Sequence, residues 1–242
     1  CWGSIGSRKW SEKDMVKYRE EEKPVNIYSP WIGNKYEKLK ILAVGINMNQ
    51  YGGTDAQDLL VNGAKSQLSK GRRKIDFGSK NYSGTFYFHR VPAYATIFLE
   101  KHGIIEEKRI NNFPIGKDVA NAFNYIALTN SVKCSPRGEN GKPGSEMWRN
   151  CLSYILKEEV IALAPKIVLI FGISQNYNYF KEHVLDKVIS DKGMGNRIRY
   201  GKGIVNGVEL GFFGIPHPTS RGGNAVKIFN YLNKIIKERD CC

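Results

Sequence analysis

A three-layer αβα sandwich around a mainly parallel four-stranded sheet is the fold class this sequence predicts, and three observations carry it. Short, nearly unbroken apolar runs recur at LKILAVGIN (39–47), NYIALTN (124–130) and KIVLIFG (166–172). Such runs suit strands buried on both faces, as in a parallel sheet, better than half-solvated strands, which alternate. Segments of helical apolar spacing separate them, and strands alternating with helices imply parallel pairing with helices on both faces. The length, 242 residues, suffices for one sizeable core. No internal repeat or interdomain linker interrupts it, so residues 38–242 read as a single domain.

Taken in order, residues 1–37 form an N-terminal arm whose Trp2, Trp10, Tyr18, Tyr28 and Trp31 pack on the core, with EEEK (20–23) closing a short solvated helix. The first strand, 39–47, ends on Gly-Ile-Asn. Helices are predicted over 54–70 and 92–102, and the basic, aromatic stretch GRRKIDFGSKNYSGTFYFHR (71–90) between them reads as a loop or small insert. The second strand is 124–130, and SPRGENGKPG (135–144) is a Gly- and Pro-rich loop. SEMWRNCLSYILKEEVIALAP opens with a Ser N-cap, has helical spacing and stops at Pro165. After the third strand, 166–172, a helix is predicted near 174–189. Asn206-Gly207 then marks a hairpin whose second arm, VELGFFGIP, delivers the chain to His217. A last helix, 223–238, places Val226, Phe229, Leu232, Ile235 and Ile236 on one face.

Composition narrows the class of partner. Hydrophobic residues make up 41% and charged residues 25%, as in ordinary globular chains, but 37 Lys and Arg against 23 Asp and Glu leave a net charge of +14. That surplus favours a polyanion, and nucleic acid is the commonest for such a protein. No stretch approaches the ~20 apolar residues of a membrane span. CWGSIGSRKW has no apolar signal region, and no Met opens the chain, so residues are expected to precede Cys1. Five scattered cysteines (Cys1, Cys134, Cys151, Cys241 and Cys242) suit a reduced, cytoplasmic protein better than a disulfide framework.

Ligands of open α/β sheets bind beyond the carboxyl ends of the strands. Those ends carry Asn47, Asn130, Gly172 and His217, so two amides and an imidazole converge on one crevice. No carboxylate cluster accompanies them, which weakens a two-metal nuclease. The absence of GxxxxGK[ST] and GxGxxG leaves nucleoside triphosphates and dinucleotides without support. Amides can orient a water or read a base edge, and a neutral imidazole can donate to an oxygen on which charge develops. With a basic surface, this set suits chemistry on a flipped nucleobase. Singly, each residue is as well explained as a strand-end cap or a satisfied core polar group; their conjunction is the signal.

GINMNQYGG (45–53), ALTNSVKCSP (127–136) and HPTSRGG (217–223) together resemble the motifs of the uracil-DNA glycosylase superfamily, over roughly residues 39–238. The first and third are most similar to those of the single-strand-selective uracil glycosylases, the second to those of the iron–sulfur uracil glycosylases. The resemblance implies a monofunctional DNA glycosylase that hydrolyses the N-glycosidic bond of a flipped pyrimidine, uracil or a C5-modified base, and leaves an abasic site. It assigns Asn47 to positioning the attacking water and His217 to stabilising the departing base. Asn130 would pair with the base; Ile46, Asn49, Tyr51 and Leu60 would line its pocket. Arg221 would wedge into the duplex, while Thr219, Ser220, Gly222, Ser131, Ser135 and Lys133 would contact the backbone.

Two departures bear on the base. Leu60 stands where the superfamily has a stacking aromatic, so Phe77, Phe86 or Tyr87 replaces it or the pocket lacks that wall. Asn49 stands where the superfamily gates the C5 edge and could hydrogen-bond a C5 substituent. Both also suit the alternative of an anti-phage defence glycosylase excising bulky hypermodified cytosines, such as glucosylated hydroxymethylcytosine. A second alternative is a catalytically silent DNA-binding module on the same fold. Catalysis requires no cofactor in this reading. Cys134 and Cys151 occupy two ligand positions of a structural 4Fe–4S cluster, which Cys1 and Cys241 would help complete; the other reading is two small buried residues. The partner is DNA, single- or double-stranded, met by a monomer without a membrane.

Overall fold

The computed structural model describes residues 30–46, 55–72, 75, 84–106, 113–133, 144–194, 197–218 and 225–238. Its helices are α1 (Tyr36–Leu39), α2 (Asp55–Ser69), α3 (Gly84–Lys101), α4 (Lys117–Ala122), α5 (Ser145–Asn150), α6 (Lys157–Leu163), α7 (Asn176–His183) and α8 (Ala225–Glu238). The strands are β1 (Trp31–Ile32), β2 (Ile41–Gly45), β3 (Ile126–Asn130), β4 (Ile167–Phe171), β5 (Lys187–Met194), β6 (Ile198–Val205) and β7 (Val208–Ile215). Among the described residues the sheet therefore has seven strands, not four, in the order β1-β3-β2-β4-β7-β6-β5. The four expected strands are its centre: β3, β2, β4 and β7 pair in parallel. Antiparallel strands extend both sides, β1 beyond β3 and the β5–β6 pair beyond β7.

The apolar runs are continuous because both faces of the central strands are covered. Ile41, Ala43, Ile126, Leu128, Ile167, Leu169, Phe171 and Phe213 face a core shared with α2, α3, α4 and α8. Their neighbours Leu42, Val44, Ala127, Val168, Ile170 and Phe212 face a second core shared with α5, α6 and α7. Successive residues of a strand point to opposite faces, so both faces demand apolar residues until the carboxyl end of β3, where Thr129 and Asn130 stand. The cross-strand partners Ile41, Ile126 and Ile167 set the register.

Three further expectations are corrected. The stretch 71–90 is not a loop throughout, because α3 begins at Gly84 and runs through Pro92. The helix near 174–189 stops at His183, and Lys187–Met194 is the edge strand β5. Gly144 rather than Ser145 is the N-cap of α5, and no side chain caps it. Beyond α5, Cys151–Leu156 widens into π geometry before α6 resumes. Asn206 and Gly207 do form the β6–β7 turn, with φ of +48° and +76°, the left-handed values a two-residue hairpin requires. Trp31 of the N-terminal arm packs edge-on against Phe123. No helix among the described residues is long and apolar enough to cross a membrane.

Candidate functional site

The chain passes from β2 to β3 on one side and then crosses to β4 on the other. The carboxyl ends of β2 and β4 therefore flank the point where the strand order reverses, the usual crevice of an open α/β sheet. Asn176, the first residue of α7, fills its base. Fully buried, its amide nitrogen donates to the carbonyls of Phe171 (2.9 Å) and Gly45 (3.2 Å), and its oxygen accepts from the Ser131 hydroxyl (2.5 Å). One side chain thus ties together the ends of β2, β3 and β4. Gly172, at φ +113°, lets the chain turn into α7 beneath it, and a Cβ there would lie 3.2 Å from the Asn176 Cβ and 3.3 Å from the Ile46 side chain.

Above this clamp the base-reading candidate comes into place. Asn130 ends β3, is 5% exposed, and lies over Gly45 at the end of β2. A Cβ on Gly45 would stand 2.4 Å from the Asn130 Oδ1 and 3.2 Å from the Tyr87 hydroxyl. Only glycine leaves room for both. Tyr87 reaches this point from the first third of α3, its ring edge-on to Phe171 at 5.9 Å. Burial pushes its phenol above the usual tyrosine range, so it stays a neutral donor and acceptor. The backbone repeats the alignment: the Ser131 and Val132 N–H groups donate to the Gly45 and Ile46 carbonyls at 3.0 and 2.9 Å.

His217 follows β7 by two residues and is half-buried. Burial lowers its pKa, which keeps the imidazole neutral at pH 7. The next residue, Pro218, is held through its carbonyl by the Arg90 guanidinium of α3. Tyr87 and Arg90 are one turn apart on α3, so the same helix face supplies the wall beside Asn130 and the anchor beside His217.

Ile46, Asn130 and His217 are thus brought to one edge of the sheet. Leu60 is not: it packs against the α2–α3–α8 core, and Tyr87 is the aromatic at the crevice. Ser131 and Lys133 are not at a surface either. Ser131 is fully buried on Asn176, and Lys133, equally buried, pairs with Glu159 at 2.5 Å and donates to Thr129, so neither side chain reaches a phosphate. Asn47, Asn49, Tyr51, Ser135, Thr219, Ser220, Arg221 and Gly222 lie outside the described residues, as do Phe77, Cys1, Cys134 and Cys241. Cys151 is a buried thiol. Among the described residues no group of three or more His, Cys, Asp or Glu side chains could hold a metal ion.

Sequence reasoning missed Asn176, Arg90 and the depth of Lys133. The polar run after the third strand, GISQN, was the available signal for Asn176: a further amide just past a strand end. No protein-family model and no curated protein matches this sequence.

Proposed function

We propose that the protein is a monofunctional DNA glycosylase acting on a flipped pyrimidine. The observation that carries the reading is the convergence at one sheet edge of the Asn130 amide, the Tyr87 phenol and a neutral His217 in a strongly basic chain. Four central parallel strands covered by helices on both faces are the coarse arrangement that a uracil-DNA-glycosylase-like fold requires.

The chemistry is a hydrolysis. A water, oriented by Asn47, attacks C1′ of the sugar; the C1′–N bond breaks, its electron pair leaves with the base as an anion, and the proton shed by the water passes through solvent to neutralise that base. His217 donates a hydrogen bond to the base oxygen that gains this charge, a role suited to an imidazole kept neutral by burial. Asn130 presents a donor and an acceptor to the Watson–Crick edge, and Tyr87 takes the place that Leu60 leaves vacant as aromatic wall. Lys133, three residues beyond Asn130, is committed to Glu159 rather than to a Schiff-base step. Arg221, Thr219, Ser220 and Gly222 would meet the DNA.

Base release from oligonucleotides tests the proposal, using single and double strands that carry uracil, hypoxanthine, 5-hydroxymethyluracil or glucosylated hydroxymethylcytosine. Release from a pyrimidine substrate is expected, with losses of about 10²–10³ in His217→Ala, the scale for removing one such donor, and a comparable or larger loss in Asn47→Ala. Binding without release from any substrate would overturn it in favour of a silent DNA-binding module.

A further inference from the structure

The strands that extend the sheet past β7 bring a second feature to the same edge. β6 runs antiparallel to β7 with Arg199 opposite Gly214, and β5 returns beside it with Met194 opposite Ile198. The end of this hairpin at which β5 runs into β6 therefore points the same way as the carboxyl end of β7. His217 is three residues on from Gly214, about 10 Å of extended chain at most, and β6 lies about 5 Å from β7.

Charge is distributed unevenly along the hairpin. At the end away from the crevice most of the charge is neutralised: Lys157 pairs with Asp186 at 2.6 Å and Lys202 with Glu209 at 2.9 Å, with Lys187 as the one further cation on those strands. At the crevice end stand four cations, Lys181, Lys192, Arg197 and Arg199, and two of them, Lys181 and Arg199, hold one carboxylate, Asp191. That carboxylate accepts from Lys181 (2.6 Å), Arg199 (3.0 Å) and the Tyr177 hydroxyl (2.8 Å). Lys181 and Arg199 also lie over the Tyr177 ring, 4.9 and 5.8 Å from its centroid. Asp191 thus works as a bracket that fixes two cations side by side, and the group keeps an excess of positive charge. Lys192 is exposed on β5, and Arg197, in the turn just before β6, is half-exposed.

We infer that the crevice end of the β5–β6 hairpin, with Lys192, Arg197, Arg199 and Lys181, is a phosphate-tracking surface for the nucleic-acid strand that enters the site. This rests on the proposed partner being DNA, but not on the hydrolysis. A rigid antiparallel pair holds its cations at fixed spacing, and neutralising backbone phosphates releases counterions without reading sequence. The surface adjoins the edge that carries His217 and Asn130, so a strand presented to the crevice has its flanking phosphates within reach. That continuity favours nucleic acid over a membrane.

The test compares two double variants of equal charge change on the same hairpin. Lys192→Gln/Arg197→Gln removes crevice-end cations not used to hold Asp191; Lys187→Gln/Lys202→Gln removes two at the opposite end. Affinity for a 20-nucleotide DNA, single- and double-stranded, is measured from 50 to 300 mM salt. The crevice-end variant should flatten the plot of log K against log salt by about 1–2 in slope and weaken low-salt binding at least tenfold, with the control near wild type. Equal slopes in all three proteins, equal flattening in both variants, or a loss confined to anionic vesicles would each overturn the inference. Base release is measured in parallel: DNA binding with the expected slopes but no release would fail the glycosylase reading alone, whereas release with unchanged slopes would fail this one alone.

Discussion

Removing the carboxylate at residue 159 tests how the structure holds Asn130 in place. Lys133 is fully buried, and its ammonium meets Glu159 at 2.5 Å; the Thr129 hydroxyl accepts from Lys133 and donates to the same Glu159 oxygen at 2.8 Å. Thr129 immediately precedes Asn130. Burial pushes the Lys133 pKa below its ordinary value, and Glu159 opposes that push. Glu159→Gln leaves a buried ammonium without its counter-charge, a change that costs about 3–5 kcal/mol when a buried pair is broken from one side. At about 2–4 °C per kcal/mol for a domain of this size, Tm falls by roughly 6–20 °C. The sign of the pH dependence follows from the lowered pKa. The unfolded chain binds the Lys133 proton more tightly than the folded one, so the variant regains stability as pH rises toward the unfolded lysine value near 10.4. Glu159→Leu/Lys133→Met, which removes both charges, should recover most of the loss. Denaturant unfolding from pH 7 to pH 10 reads all three proteins. A Glu159→Gln loss below about 1 kcal/mol that does not change with pH would refute the claim that Lys133 is charged and desolvated in the fold.

Gly45→Ala places a methyl 2.4 Å from the Asn130 Oδ1; the amide must move, so base release should fall at least tenfold while denaturant stability changes much less. Asn176→Leu takes the Asn176 partner from the Phe171 carbonyl and the Ser131 hydroxyl, while the Gly45 carbonyl keeps the Ser131 N–H; at about 1–3 kcal/mol for a buried unpaired group a loss of at least 2 kcal/mol in urea unfolding is expected. For His217 the folded pKa is depressed, so its neutral form adds stability above the unfolded value near 6.5 that fades as pH falls below it. A histidine NMR titration should give a His217 midpoint below 6.5, and base release should hold its plateau to lower pH than an ordinary imidazole would allow. A midpoint at or above 6.5 would contradict the burial argument.

How far the sequence speaks depends on which interaction decides each element. β2, β3 and β4 were legible because burial on both faces leaves one pattern, an unbroken apolar run, and Asn206-Gly207 was legible because few residue pairs accept two left-handed positions. β5 was not. KVISDKGM has no clean alternation, Val188 and Ile189 are exposed, and only pairing with β6 makes it a strand. Pro92 misled because proline favours the first helical turn, yet α3 starts eight residues earlier and absorbs it. Of the site, Asn130 and His217 were legible as polar residues ending apolar strands. Asn176 was not, since its bonds to Gly45 and Ser131 run to partners remote in sequence, and Lys133 reads as a surface lysine until Glu159, 26 residues on, is folded against it.

Helix α3 gives the crevice a single mechanical reference. Its 18 residues span about 27 Å. At one end Tyr87 and Arg90 touch the two halves of the crevice; at the other, the Lys101 ammonium donates to the Ile236 carbonyl of α8, and along the way Phe98 abuts Phe213 of β7. The opening between Asn130 and His217 is therefore gauged against the far end of the molecule, like a caliper whose fixed jaw is α8. A thermal or mutational slip of α8 would change the gap on both sides at once, so in the proposed reaction loss of stability there should alter which base is released before it abolishes folding.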